Sequence, residues 1–207
     1  MKKNYTEIVD HYENCLLQHG DSHLGVDWPN KEDAMKRYQV MLGVVRDINV
    51  HNSVLDFGCG TAHLLEYILE NKINTIEYSG LDISPLFVQK ASEKFPETIF
   101  YQTDILDDGN DLPLFDYIIL NGVFTEKRNL TQDEMWSYFS EMITKVFEKC
   151  KKGIAFNVMS KNVDWERDDL FHVSLDELTK FLCKNLSRHF IIRNDYGLYE
   201  YTVYLYK

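Results

Sequence analysis

From Ser53 onward, short apolar runs alternate with runs of helical period, and this rhythm constrains the fold more than any other feature of the chain. "SVLDF" reads as a buried strand and "TAHLLEYILE" as a helix. "IEYSGLDI" is a strand, followed by the helix "SPLFVQKASEKF", with Ser84 as its N-cap and Pro85 at its first position. "TIFYQTDI" and "FDYIILNGVF" are further strands. "TQDEMWSYFSEMITKVFEKC" is a helix that opens on a capping box, Thr131 to Glu134. The strand "GIAFNVMS" and the helix "SLDELTKFLCKNL" follow, the helix with a second box from Ser174 to Glu177. Strand and helix in this order build βαβ units, which predicts a three-layer α/β sandwich: a mostly parallel sheet with helices on both faces. The end breaks the pattern. "HFIIRNDYGLYEYTVYLYK" gives two β-rich runs with only a short Asn/Asp/Gly turn between them. No parallel crossover fits in so short a connection, so this is a hairpin and the last strand runs antiparallel.

The first 50 residues have a different texture. Tyr5, Ile8, Val9, Tyr12, Cys15 and Leu16 recur at helical spacing. "HGDSHLGVDWPN" interrupts them, and a second helical run carries Ala34, Met35, Tyr38, Met41, Leu42 and Val45 on one face. The length of 207 residues suits one domain. The expectation is a single domain over 1–207, with a helical N-terminal lid over 1–50 and the α/β core over 51–207.

Charge narrows the partners. Thirty-three acidic against 22 basic residues give a formal charge of −11. Such a chain repels phosphate backbones and anionic membranes, and the short "KCKK" around Cys150, read as a solvated helix end, is no basic groove. Nucleic acid and membrane are therefore not expected partners. The four cysteines form no CxxC pair and the carboxylates form no obvious magnesium cluster, so no metal is expected. The start has no apolar core of signal-peptide length, and no run reaches the ~20 apolar residues of a membrane span. A cytoplasmic protein with reduced cysteines is the expectation.

In an open α/β sheet, ligands bind beyond the carboxyl ends of the strands. Four successive strand ends carry acids or glycines: Asp56 with Gly58, Cys59 and Gly60; Asp82; Asp104; and Asn121 with Gly122. Each alone is as well explained by a helix cap or a solvated loop, but four at equivalent places point to a ligand. Gly58 and Gly60 let a backbone approach where a Cβ would clash. Asp82 can accept the two hydroxyls of a ribose, and Asp104 the amino group of an adenine. Ile83 and Ile105, next to these acids, are placed to sandwich a base.

A dinucleotide site wants G-x-G-x-x-G, and here the third position is His63. With that glycine missing and no second domain, a nicotinamide oxidoreductase is disfavoured. The segments "VLDFGCGTAHLL", "YSGLDISPLFVQKASEKF", "FYQTDI" and "FDYIILNGVF", in this order and with the closing hairpin, resemble the class I S-adenosylmethionine-dependent methyltransferases. The flanks "HGDSHLGVDW" and "RNDYGLYEYTVYLYK" are similar to a small bacterial subgroup of these enzymes. The resemblance implies S-adenosylmethionine as cofactor. It implies a seven-stranded sheet of order 3-2-1-4-5-7-6 with strand 7 antiparallel. It assigns Asp56, Gly58 and Gly60 to the methionine part, Asp82 to the ribose and Asp104 to the adenine.

The acceptor is less constrained. Many base and amide N-methyltransferases carry Asn/Asp-Pro-Pro-Tyr/Phe after the fourth strand, where this chain has "NGVFTE". A small molecule accepting the methyl on oxygen or nitrogen, such as a sugar or a secondary-metabolite intermediate, fits better. A non-catalytic cofactor-binding module or partner subunit stays open beside it. Arg37 is a candidate partner for the cofactor carboxylate or else a surface arginine. His19, His23 and His172 are candidates for a general base, or else cap and pack in their loops. Tyr12, Trp28, Phe124 and Tyr196 are candidates for the acceptor pocket, with core or lid packing as the alternative. The oligomeric state is not legible.

Overall fold

The strand–helix rhythm becomes one sheet. The computed structural model describes residues 5–107, 109 and 111–207. Two helices come first, α1 (Thr6–His19) and α2 (Lys31–Leu42). Then follow β1 (Asn52–Phe57), α3 (His63–Glu70), β2 (Ile76–Asp82), α4 (Pro85–Lys94), β3 (Ile99–Gln102) and β4 (Phe115–Phe124). The second half holds α5 (Gln132–Glu148), β5 (Cys150–Ser160), β6 (His172–Val173), α6 (Leu175–Asn185), β7 (Phe190–Arg193) and β8 (Glu200–Tyr206). The sheet order is β3-β2-β1-β4-β5-β8-β7, with β6 on β5. β8 runs antiparallel to both β5 and β7. With β6 set aside, this is the order 3-2-1-4-5-7-6 that the resemblance implies.

β6 is the one strand not foreseen. β5 runs past its last pairing with β4 at Val158, and His172–Val173 pair with the overhang at Met159 and Ser160. Two residues are too few to carry a period. A second difference lies at α3, which begins at His63 rather than Thr61 because Ala62 takes a left-handed backbone, φ +64°. A third concerns "KCKK": Cys150 already opens β5. Ser84 accepts the Phe87 amide and the Thr131–Glu134 box closes both ways. At the start of α6 only half of the expected box forms: Ser174 accepts the Glu177 amide, and the Glu177 side chain does not return to the Ser174 amide.

Alternate residues of the buried strands face opposite layers. On one side Leu55 and Phe57 of β1 pack with Phe139 of α5, Leu178 of α6 and Ile8 of α1. On the other, Val54 packs with Met41 of α2, Leu65 of α3 and Ala91 of α4. Two tyrosines of β8 tie α2 to this second layer. Tyr204 donates its hydroxyl to the Val40 carbonyl, and Tyr206 donates to the Val44 carbonyl. Among the described residues no helix is long and apolar enough to cross a membrane.

Candidate active site

The chain leaves β1 into a turn with an unusual backbone. Gly58 and Gly60 take φ of +74° and +54°. The amides of Gly58 and Cys59 both donate to the Leu81 carbonyl, at 2.7 and 2.9 Å. The Gly60 amide donates to Asp82 Oδ2 at 2.9 Å. The turn is thereby hooked onto the end of the neighbouring strand, β2. A Cβ on Gly60 would lie 3.3 Å from Val26 Cγ1, so the bare backbone is also what lets the N-terminal segment approach.

A cavity opens above these strand ends. Asp56, Gly58, Cys59, Gly60, Asp82, Ile83, Asp104, Ile105, Asn121 and Gly122 all line it. The structure therefore brings together every strand-end residue singled out from the sequence. Tyr12 and Trp28 line it too, with Ile8, Val9 and Val26 of the same N-terminal segment.

The acids in it are tuned by burial. Asp56 is pushed up to about 7 by desolvation, opposed by the Tyr78 hydroxyl, which donates to its Oδ2 at 2.8 Å. Asp82 is pushed up to about 6 by the same cause, opposed by the amides of Ser84, Gly60 and Ile83. Asp104 accepts the Leu106 amide at 2.9 Å and the Tyr5 hydroxyl.

Asn121 sits at an irregularity. Between the pairs Leu120↔Phe156 and Phe124↔Val158 three residues of β4 face a single residue of β5, Asn157. Such bulges bend a strand and re-aim its side chains. Here Asn121 and Gly122 turn toward the cavity. Among the described residues the buried Oδ1 of Asn121 has no hydrogen-bond partner. A buried acceptor left unpaired is costly, so it invites an N–H donor from a ligand.

The N-terminal segment is clasped over the cavity. Asp21 accepts the Thr61 hydroxyl at 2.6 Å and lies 2.8 Å from both His63 Nε2 and Lys94 Nζ. The Ser84 hydroxyl donates to Glu13. On the far side, His11 contacts Asp27 at 2.7 Å, and the Arg128 guanidinium lies against His11 and within 3.6 Å of Asp27. The ligand-capable atoms of His11, Cys15 and Asp27 lie within 4.8 Å of one another. Arg128 already supplies a cation at that place. Nearby Glu126, in an ion pair with Arg128 at 3.2 Å, is pushed up to about 7 by burial, which Arg128 opposes.

Other sequence candidates lie elsewhere. Arg37 does not line the cavity: it grips Glu200, Nε at 3.0 Å from both carboxylate oxygens and Nη2 at 2.9 Å. Its guanidinium lies 4.1 Å over the Trp28 ring. His19 is exposed at the end of α1, and His23 offers its carbonyl to the Trp28 amide. Neither lines the cavity. His172 is buried between the Ser160 carbonyl, 2.6 Å from its Nδ1, and the Arg167 amide, 3.2 Å from its Nε2. Both ring nitrogens serve the loop after β5. Phe124 is fully buried against Phe139, ring centroids 4.9 Å apart, and is core. Tyr196 is buried, its hydroxyl 2.9 Å from Thr202. The sequence reading missed Asp21 and Lys94 as clasps and His63 as a wall. Nothing in "HGDSH" signals which acid meets the glycine turn.

Comparison with known proteins agrees with this geometry. The family described as "Methyltransferase domain" matches residues 55–145. A Mycobacterium tuberculosis (strain ATCC 25618 / H37Rv) protein named "Putative methyltransferase Rv1506c" is 26% identical over 153 residues, 73% of this chain and 90% of that one. The magnesium protoporphyrin IX methyltransferase of Synechocystis PCC 6803, solved with bound SAM, superposes with a TM-score of 0.68 at 18% identity, covering 100% of this chain and 98% of that one. The N-methyltransferase NodS of Bradyrhizobium japonicum WM9, solved with S-adenosyl-L-homocysteine, gives 0.65 at 14% identity over 100% and 99%. The chain thus shares the fold of these solved methyltransferases, and its residues 55–145, which hold the glycine turn and the four strand ends, match the family described as a methyltransferase domain.

Proposed function

We propose that the chain transfers the methyl group of S-adenosylmethionine to an oxygen or nitrogen of a small-molecule acceptor. One observation carries the reading: the ends of β1, β2 and β4 and the loop after β3 bring acids and bare backbone to a single cavity. That donor set suits this cofactor. The glycine turn receives the methionine part, and the orphaned Asn121 Oδ1 takes its ammonium. The Asp82 carboxylate, ionised above about pH 6, accepts the ribose hydroxyls. Asp104 takes the adenine amino group, between Ile83 and Ile105.

When bound, the cofactor supplies an activated methyl carbon together with its own leaving group. The protein's part is alignment and exclusion of water. Residues 1–50 act as a lid on the 51–207 core. Tyr12, Trp28 and Val26 close the cavity from above, and Asp21 holds that segment to the glycine turn. The acceptor enters between Tyr12 and Trp28. Beside Tyr12 lie Glu126 and Asp27, paired with Arg128, which also meets Asp169; this acidic excess disfavours a phosphate backbone as acceptor.

Titration calorimetry with S-adenosylmethionine, S-adenosylhomocysteine and NAD tests the cofactor. The two methionine derivatives are expected to bind and NAD is not. Binding of NAD alone overturns the reading. A screen of small alcohols and amines for transfer of labelled methyl then tests catalysis.

A further inference from the structure

Arg37, Glu200 and Asn157 form a connected polar chain behind the cavity wall. Arg37 lies on α2 and Glu200 opens β8, and their side chains are 13% and 1% exposed. The guanidinium meets both carboxylate oxygens. Glu200 Oε1 also accepts from Asn157 Nδ2 at 2.9 Å. Asn157 is fully buried, and its Oδ1 accepts the Gly122 amide at 2.8 Å. Every link has good hydrogen-bond length.

The last link lies at the β4 bulge. There the regular ladder between β4 and β5 stops, and the Gly122 N–H would have no strand partner. The Asn157 side chain replaces the missing backbone acceptor. Gly122 has φ +81°, and a Cβ on it would lie 2.8 Å from Trp28 Cζ2. Trp28 in turn lies under the Arg37 guanidinium. The chain of contacts is thus a closed loop. It runs from Arg37 through Glu200 and Asn157 to Gly122, and from Gly122 through Trp28 back to Arg37.

We propose that Arg37, Glu200 and Asn157 are positioning residues that fix the Gly122 peptide and the Trp28 ring, and so shape the cavity wall formed by the bulge and the lid. A guanidinium that grips a carboxylate by a fork has one orientation, unlike an ammonium. Glu200 held this way presents one oxygen to Asn157, which fixes the amide that Gly122 needs. The loop fastens residues from four separate parts of the chain at the wall that carries Asn121. Its effect on ligand affinity rests on the S-adenosylmethionine reading. Its effect on Gly122 and Trp28 does not.

The test uses the full chain labelled with ¹⁵N. Breaking a buried ion pair from one side can unfold a protein, so the central variant is the double substitution Arg37→Met/Glu200→Gln, which leaves no unpaired charge. Asn157→Leu cuts the relay at its other end. Both variants are expected to shift the Gly122 amide and Trp28 indole resonances of the ligand-free protein. Both are also expected to weaken S-adenosylhomocysteine binding about tenfold by calorimetry, an effect that loss of stability alone does not produce in a folded sample. Unmoved Gly122 and Trp28 resonances in the folded double variant overturn the relay. If the parent protein binds no S-adenosylhomocysteine, the cofactor reading fails, and the resonances alone still decide the relay.

Discussion

The Gly60 amide donates to Asp82 Oδ2 at 2.9 Å, so the acid that faces the cavity from β2 also holds the glycine turn of β1 in place. Asp82 therefore acts twice. Asp82→Ala is expected to weaken S-adenosylhomocysteine binding by about 1–3 kcal/mol, the range for losing a hydrogen bond to a charged group. It should also lower the melting temperature, because the Gly60 amide loses its acceptor. Calorimetry and a thermal melt read the two effects separately, and unchanged affinity removes Asp82 from the ribose.

Asp56 predicts a pH dependence. Its folded pKa of about 7 lies above the ordinary carboxylate range, so folding favours the neutral carboxyl. The associated stability is complete below about pH 4 and is lost as pH rises through about 7. Asp56→Asn mimics the neutral form. It should be more stable than the parent at pH 8, by up to about 4 kcal/mol, with the gap narrowing toward pH 5. Urea denaturation at both pH values checks this, and a gap that does not change with pH contradicts it.

Asp21 is the clasp of the N-terminal segment. Asp21→Ala removes the acceptor of Thr61 and the partner of His63 and Lys94. These are partly exposed contacts, so their combined loss should weaken S-adenosylhomocysteine binding by roughly tenfold. Chymotrypsin should cut faster near Leu24 and Trp28 in the variant. Equal cleavage rates for variant and parent would show that the clasp does not hold the segment.

Asn121 separates folding from binding. Its buried Oδ1 has no partner among the described residues, so Asn121→Leu should leave the ligand-free protein within about 1 kcal/mol of the parent, or above it. The same variant should bind S-adenosylhomocysteine about ten- to a hundredfold more weakly. A large loss of stability with normal affinity would assign the side chain to the fold instead.

The site residues legible in the sequence are those whose place depends only on local rhythm. Asp56, Asp82, Asp104 and Asn121 end apolar runs or directly follow them, and an α/β sheet sends all such ends to one edge. Residues whose role depends on a distant partner were not legible. Arg37 meets Glu200 across 163 positions of sequence, and no period links a helix to the first residue of the final strand. His172 looked like a base because histidine titrates near neutrality, yet both its nitrogens are taken by loop backbone. Phe124 stands two residues from Gly122 but beyond the bulge, where the regular ladder resumes and its ring packs into the core against Phe139 and Phe156. α3 starts late because Ala62 takes a conformation that alanine seldom adopts, which its identity does not reveal.

The two tyrosines of β8 that hold α2 impose an order on biosynthesis. Val40 and Val44 leave the ribosome early, and the hydroxyls of Tyr204 and Tyr206 emerge more than 150 residues later. Until then α2 lacks the strand that anchors it, and Trp28 and Arg37 with it. The nascent chain can assemble its parallel strands in sequence, but the roof of the cavity is seated only after them, by β8, the last strand of this sheet in sequence order. Binding competence should therefore appear only when translation of β8 is finished, however early the glycine turn has formed.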